Sequence, residues 1–153
     1  MTTREPVPHR GPTGWTAHAT DLVIDWIAPH DEAVIRVFPA VIWLGEPAPI
    51  EVLVATTHAM GLWIDGLAEP SELPTDPGVV ATVWELATAT ARCDLVVLRD
   101  DRYEYAVVLE SRDDLAQRRH RAALHALVAS ITPIAPSRLR THEAVAAFAH
   151  WTL

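Results

Sequence analysis

Asp94-Leu95-Val96-Val97-Leu98-Arg99-Asp100-Asp101-Arg102-Tyr103-Glu104-Tyr105-Ala106-Val107-Val108-Leu109 sets two apolar, β-branched runs on either side of four charged residues. That pattern predicts a hairpin, with strands over Asp94–Leu98 and Tyr103–Leu109 and a turn at Arg99–Arg102. Hairpin partners are antiparallel, so this stretch makes an antiparallel sheet the frame into which the rest of the chain must fit.

Downstream, Ser111 with Asp114 three residues on reads as a capping box, and Asp113 and Asp114 suit the first turn of a helix. The buried face of that helix is predicted to be Leu124, Leu127, Val128 and Ile131, with Thr132-Pro133 as its stop. Thr141 then caps a final short helix carrying Val145, Phe148 and Trp151. Upstream, Asp76-Pro77 resembles a helix start, and Val79, Val80, Val83, Trp84 and Ala87 follow at helical spacing, with Arg92 in the last turn. Residues 68–77, rich in proline and acid, read as a surface loop. Three strands are predicted before it. They are Ala33–Leu44, interrupted at Pro39, then Ile50–Thr56 after the turn Glu46-Pro47-Ala48-Pro49, and Met60–Leu67. In residues 15–28, Leu22, Val23, Trp26 and Ile27 recur at helical spacing, which favours a short helix; a strand over Leu22–Ile27 is the alternative.

The expected architecture is therefore α+β, an antiparallel sheet of about five strands with helices on one face, in the order α-βββ-α-ββ-α-α. Residues 1–14, rich in proline and glycine, are expected to be a flexible tail, and 15–153 one domain. This order of elements is similar to that of secretion-chaperone-like domains over roughly residues 16–132. The similarity is one of topology.

Charge is divided unevenly along the chain. Residues 1–110 carry 17 acids against 6 arginines, whereas 111–153 carry 3 acids against 6 arginines, within a formal net charge of −8. Arg118, Arg119 and Arg121 flank His120 in a run that falls on a helix face. A net negative chain is a poor match for the phosphate backbone, so no nucleic-acid partner is expected. Lysine and asparagine are absent, which removes Schiff-base and P-loop lysine chemistry. The single cysteine, Cys93, excludes an intrachain disulfide and a cysteine-built zinc site, and reads as a buried structural thiol. No apolar run suits a signal peptide or a membrane span, so a cytoplasmic protein without a membrane partner is expected.

Motifs for chemistry are sparse. His142 and His150 lie two helical turns apart, and His120 and His125 are five apart, so neither pair makes a chelate by itself and no metal is expected. Neither a Gly-rich phosphate loop nor a Gly-x-Ser-x-Gly elbow is present, and no cofactor is expected. Two functional readings follow. One is a non-catalytic, chaperone-like or regulatory module that docks a partner protein, or a second copy as a homodimer, through Arg118, Arg119 and Arg121 with exposed aromatics such as Trp43 and Trp63. The other is a small enzyme or small-molecule sensor whose sheet–helix pocket contains His58 and Asp65 as an acid–base pair.

Overall fold

A computed structural model describes residues 9–20, 23–38, 41–42, 66–67, 69–74, 78–99 and 103–131. Their strands are β1 (Thr16–Ala19), β2 (Ile24–Ile27), β3 (Ala33–Val37), β4 (Val41–Ile42), β5 (Gly66–Leu67), β6 (Ser71–Leu73), β7 (Val80–Ala87), β8 (Arg92–Arg99) and β9 (Tyr103–Ser111). One α-helix among the described residues, α1 (Asp114–Ser130), follows them. The class is α+β.

All pairings are antiparallel within one sheet, in the order β1-β2-β3-β9-β8-β7-β5. The short strands β4 and β6 extend two of these positions. β4 pairs with β9 at Glu104 and Tyr103, beyond the Val37–Val107 end of the β3 pairing, and the Phe38 N–H donates to the Ala106 carbonyl at 3.0 Å between them. Likewise β6 and β5 lie along successive parts of β7. The expectation of about five strands is thus corrected to seven positions across the sheet.

The predicted hairpin is present and longer than expected, with Arg92 opposite Ser111 at its open end and Arg99 opposite Glu104 near its turn. Alternation explains its place at the centre. In β8, Val96 and Leu98 join the core under α1, while Cys93, Leu95 and Val97 join a second cluster with Leu86 and Val108. A strand apolar on both faces is stable only where both faces are covered.

Two expected helices are strands. Residues 80–87 form β7, paired residue for residue with β8 from Val80–Arg99 to Ala87–Arg92. The spacing of Val79, Val80, Val83, Trp84 and Ala87 fits a helix, but Val80, Thr82, Val83 and Trp84 are the β-branched and aromatic types that suit a pleated surface, and β8 offers a full ladder. Within 15–28, Thr16–Ala19 form β1 and Ile24–Ile27 form β2, so of the two alternatives for this stretch the strand is the better reading. Ile24 and Trp26 alternate into the core, and Asp25 faces the other way to pair with Arg36. The expected loop over 68–77 includes the strand β6. With strands in place of both early helices, the described elements depart from the expected α-βββ-α-ββ-α-α order. Most of the expected strands Ile50–Thr56 and Met60–Leu67, and the helix at Thr141, lie outside the described residues.

α1 closes one face of the sheet with the predicted residues Leu124, Leu127, Val128 and Ile131, which pack on Ile24, Ile35, Val37, Val96, Leu98, Val107 and Leu109. Burying each such side chain contributes about 1.5–3 kcal/mol. The cap differs from expectation: the Ala116 N–H donates to Asp113 Oδ1 at 2.8 Å. Ser111 instead ends β9, 1 % exposed, with its hydroxyl unpartnered. No helix among the described residues is long and apolar enough to cross a membrane.

Candidate functional site: the outer face and anchors of α1

The Asp113 cap fixes where α1 begins and therefore which side chains share a face. Arg112 lies just before the cap, and Leu115, Arg118 and Arg119 follow at positions separated by three and four residues. Leu115 is 59 % exposed, one of two large hydrophobic side chains exposed among the described residues, the other being Val80 on β7. Arg118 and Arg119 are exposed beside it, and the Arg112 side chain is 67 % exposed. The first half of the helix thus presents Leu115 with Arg112, Arg118 and Arg119 at neighbouring helical positions, alongside exposed Asp113 and Asp114, and Arg112 and Arg119 also pair with Glu32.

The inward-facing members of the basic run are anchored within the fold. The Arg121 guanidinium donates from Nε to Asp94 Oδ2 at 2.8 Å and from its NH2 nitrogen to Asp94 Oδ1 at 3.1 Å, with Glu85 at 2.7 Å from that same nitrogen. Gln117 Nε2 donates to Asp94 Oδ1 at 2.8 Å. Asp94 is fully buried, so these donors replace the water its carboxylate has lost. Hydrogen bonding to Asp94 raises the Arg121 pKa further above its already high value.

A second anchor joins α1 to the turn between β2 and β3. Arg119 donates to both Glu32 carboxylate oxygens at 2.9 Å, and His120 Nε2 donates to Glu32 Oε1 at 2.5 Å. The His120 hydrogen bond, followed by that of Arg119, holds the Glu32 carboxyl below its ordinary range against the opposing effect of burial. Trp15 meets the His120 ring edge-on, with ring centroids 5.1 Å apart. The turn that places Glu32 is tight. Asp31 N–H donates to the Ala28 carbonyl at 3.1 Å, while His30 (φ 64°) and Asp31 (φ 54°) are both left-handed. Histidine and aspartate are among the non-glycine residues that tolerate this region, at a cost of about 1–2 kcal/mol each.

Of the residues singled out from sequence, Arg118 remains on the outer face and makes no ion pair among the described residues. Arg119 is shared between that face and Glu32, and Arg121 is tied to Asp94 and Glu85. Trp43, Trp63, His58 and Asp65 lie outside the described residues. Sequence reading missed Leu115, whose signal was an apolar residue off the predicted buried face. It also missed Glu32 and Asp94, which nothing local ties to α1. Among the described residues, no group of three or more His, Cys, Asp or Glu is placed to hold a metal. Comparison with protein-family models, curated proteins and solved structures found no match.

Proposed function

We propose that this chain is a non-catalytic, regulatory or chaperone-like binding module that docks a partner protein on the outer face of α1. Leu115 is the apolar anchor, and Arg112, Arg118 and Arg119 are the surrounding cations. The observation that carries the reading is Leu115 itself, 59 % exposed at the centre of an arginine-bearing face. Arginine is enriched in interfaces, and an exposed aliphatic side chain beside it adds apolar area for a partner to cover. The partner surface is an apolar pocket rimmed by carboxylates. A second copy of this acidic chain is one source of such a surface, which keeps a homodimer within the proposal. The reading places the protein in the cytoplasm, in keeping with its single buried free thiol.

The test compares capture from native host lysate by the wild type and by Leu115→Ser/Arg118→Glu, with circular dichroism to confirm the fold. Both substitutions avoid the Asp94 and Glu32 anchors. Loss in the variant of a stoichiometric partner held by the wild type supports the reading. A folded variant that retains every partner overturns it. Sedimentation of both proteins tests the second-copy form, which requires a dimer in the wild type alone.

A further inference from the structure

β1 stands at one end of the strand order and is bonded to β2. Antiparallel strands alternate hydrogen-bonded and non-hydrogen-bonded pairs. The Thr20 N–H donates to the Val23 carbonyl at 2.9 Å and closes the β1–β2 hairpin, so His18–Asp25 and Thr16–Ile27 are the bonded pairs. The other side of β2 agrees. Ala28 N–H donates to the Ala33 carbonyl at 2.9 Å, and the same alternation gives Trp26 and Ile24 to β3 and leaves Asp25 and Ile27 for β1. The N–H and C=O groups of Ala17 and Ala19 therefore point away from β2, and no hydrogen bond occupies them among the described residues. Thr16, His18 and Ala19 are exposed.

Proteins commonly guard such an edge with charge, proline or a bulge. β1 has no acid, arginine or proline, and its register with β2 is unbroken. On the neighbouring strand, the Asp25 carboxylate is matched by the Arg36 guanidinium through hydrogen bonds of 2.8 and 3.1 Å. In a chain of formal net charge −8, this edge is thus a place where two copies can approach with little repulsion.

We propose that β1 pairs with β1 of a second copy about a two-fold axis at His18, joining the two sheets edge to edge. The order Thr16-Ala17-His18-Ala19-Thr20 reads the same in both directions. Antiparallel pairing about His18 therefore sets Ala17 opposite Ala19 of the second copy and His18 opposite His18. Each Ala17 N–H donates to the Ala19 carbonyl of the other copy, and each Ala19 N–H to the Ala17 carbonyl, so every outward group of these alanines is used. An axis at Ala17 would instead call on the Trp15 N–H, which already donates to the Pro12 carbonyl at 3.3 Å. Because the axis consumes the same edge in both copies, the assembly closes as a dimer.

Side chains fit the same register. Ala17 packs toward the core under α1, so His18 lies on the opposite face of the sheet. The two His18 rings meet there as a non-hydrogen-bonded pair, the position where cross-strand side chains come closest. This interface is separate from the outer face of α1 and does not rest on the docking reading.

A strand of four residues makes a small interface, so the dimer should be weak and concentration-dependent. Sedimentation of the full chain should show its growth from about 5 to about 500 μM. Ala19→Pro removes an N–H that β2 does not use, a change that an edge strand tolerates, and should abolish the dimer while circular dichroism stays unchanged. Leu115→Ser/Arg118→Glu should dimerise as the wild type does, which separates this edge from the α1 face.

Cysteine crosslinking reads the register. His18→Cys places two thiols across a non-hydrogen-bonded pair with Cα atoms about 4.5 Å apart, within disulfide range. Under oxidised glutathione it should form a disulfide-linked dimer. Thr16→Cys, whose two copies lie about 13 Å apart along the strands, should not. Cys93 is 0 % exposed and does not compete.

A wild type that is monomeric at the highest concentration overturns the proposal. So does a folded Ala19→Pro that dimerises like the wild type, or loss of the dimer in Leu115→Ser/Arg118→Glu. Should Ala19→Pro fail to fold, the cysteine variants decide. Crosslinking at 18 and not at 16 supports the β1 pairing, and equal or absent crosslinking at the two positions overturns it.

Discussion

Asp94, in the middle of the sheet, and Arg121, in the middle of α1, meet through two hydrogen bonds of 2.8 and 3.1 Å, with the carboxylate fully buried and the guanidinium side chain about one-third exposed. The pair spends part of the helix's basic run on holding the helix to the sheet. It makes part of the charge division along the sequence an internal matter of the fold.

Removing one partner should cost far more than removing both. Arg121→Ala leaves Asp94 buried with Gln117 as its remaining side-chain donor, and is expected to destabilise by about 3 kcal/mol. The double variant Asp94→Leu/Arg121→Met should lie within about 1 kcal/mol of wild type, because the buried charge goes with its partner. Arg118→Ala, on the outer face, should change stability by less than about 0.5 kcal/mol. Urea unfolding of the three variants checks the ordering.

Glu32 should contribute to the acid limb of stability. Its folded-state pKa lies below the ordinary value of 4.5 because His120 and Arg119 donate to the ionised form. The stabilisation is fully present above that ordinary value and is lost as pH falls through the lower, folded one. Glu32→Gln should therefore flatten the dependence of Tm on pH below 4.5, measured by calorimetry between about pH 5 and pH 2.5. A variant with the same acid slope as wild type would contradict the assignment.

Cys93 should be inert while the protein is folded. It is 0 % exposed, and burial pushes the thiol pKa up from 9.0 to about 12. That shift leaves about 1000-fold less thiolate at a given pH, before access is considered. Iodoacetamide labelling at pH 8 should proceed only through unfolding, with a rate that rises across the urea transition. Rapid labelling without denaturant would show that β8 opens locally.

Gly11→Ala should loosen residues 9–15, which lie against Trp26 and Ser130, without unfolding the domain. The added Cβ overlaps the Trp26 indole and must push either this segment or the ring aside. Overpacking of this kind costs about 1–3 kcal/mol. Exchange protection of the Arg10 amide should fall, while that of β8 and β9 stays at the wild-type level. Equal loss everywhere would mean that Gly11 supports the whole core.

The elements read correctly from sequence are those whose pattern and partner are both local. The β8–β9 hairpin carries both strands and its turn within one stretch, and α1 shows its buried stripe at Leu124, Leu127, Val128 and Ile131. β7 carries a misleading helical pattern because Asp76-Pro77 resembles a helix start and five apolar residues fall by chance at helical spacing. Its true determinant is the ladder supplied by β8. The same holds for β2, whose Ile24 and Trp26 alternate correctly but sit beside Val23 and Ile27, which also suit a helix.

The segment 9–15 is legible in the sequence only as composition. Proline and glycine near the start suggest a flexible tail, but His9 is fully buried because Trp26, a residue of β2, supplies its donor. In the same way, three adjacent basic residues divide their roles according to what the sheet places opposite them. Arg119 and His120 meet Glu32 from the β2–β3 turn, and Arg121 meets Asp94 from β8.

The α+β class, the central hairpin and the buried stripe of α1 are written in the amino-acid order, because short-range periodicity and turn chemistry are properties of contiguous residues. Three-dimensional packing settles which strands replace the expected helices, which arginines are held inside the fold, and that Leu115 is left outside. Those outcomes depend on partners brought together from distant positions, such as Glu32 with Arg119 and Asp94 with Arg121, whose pairing no local pattern encodes.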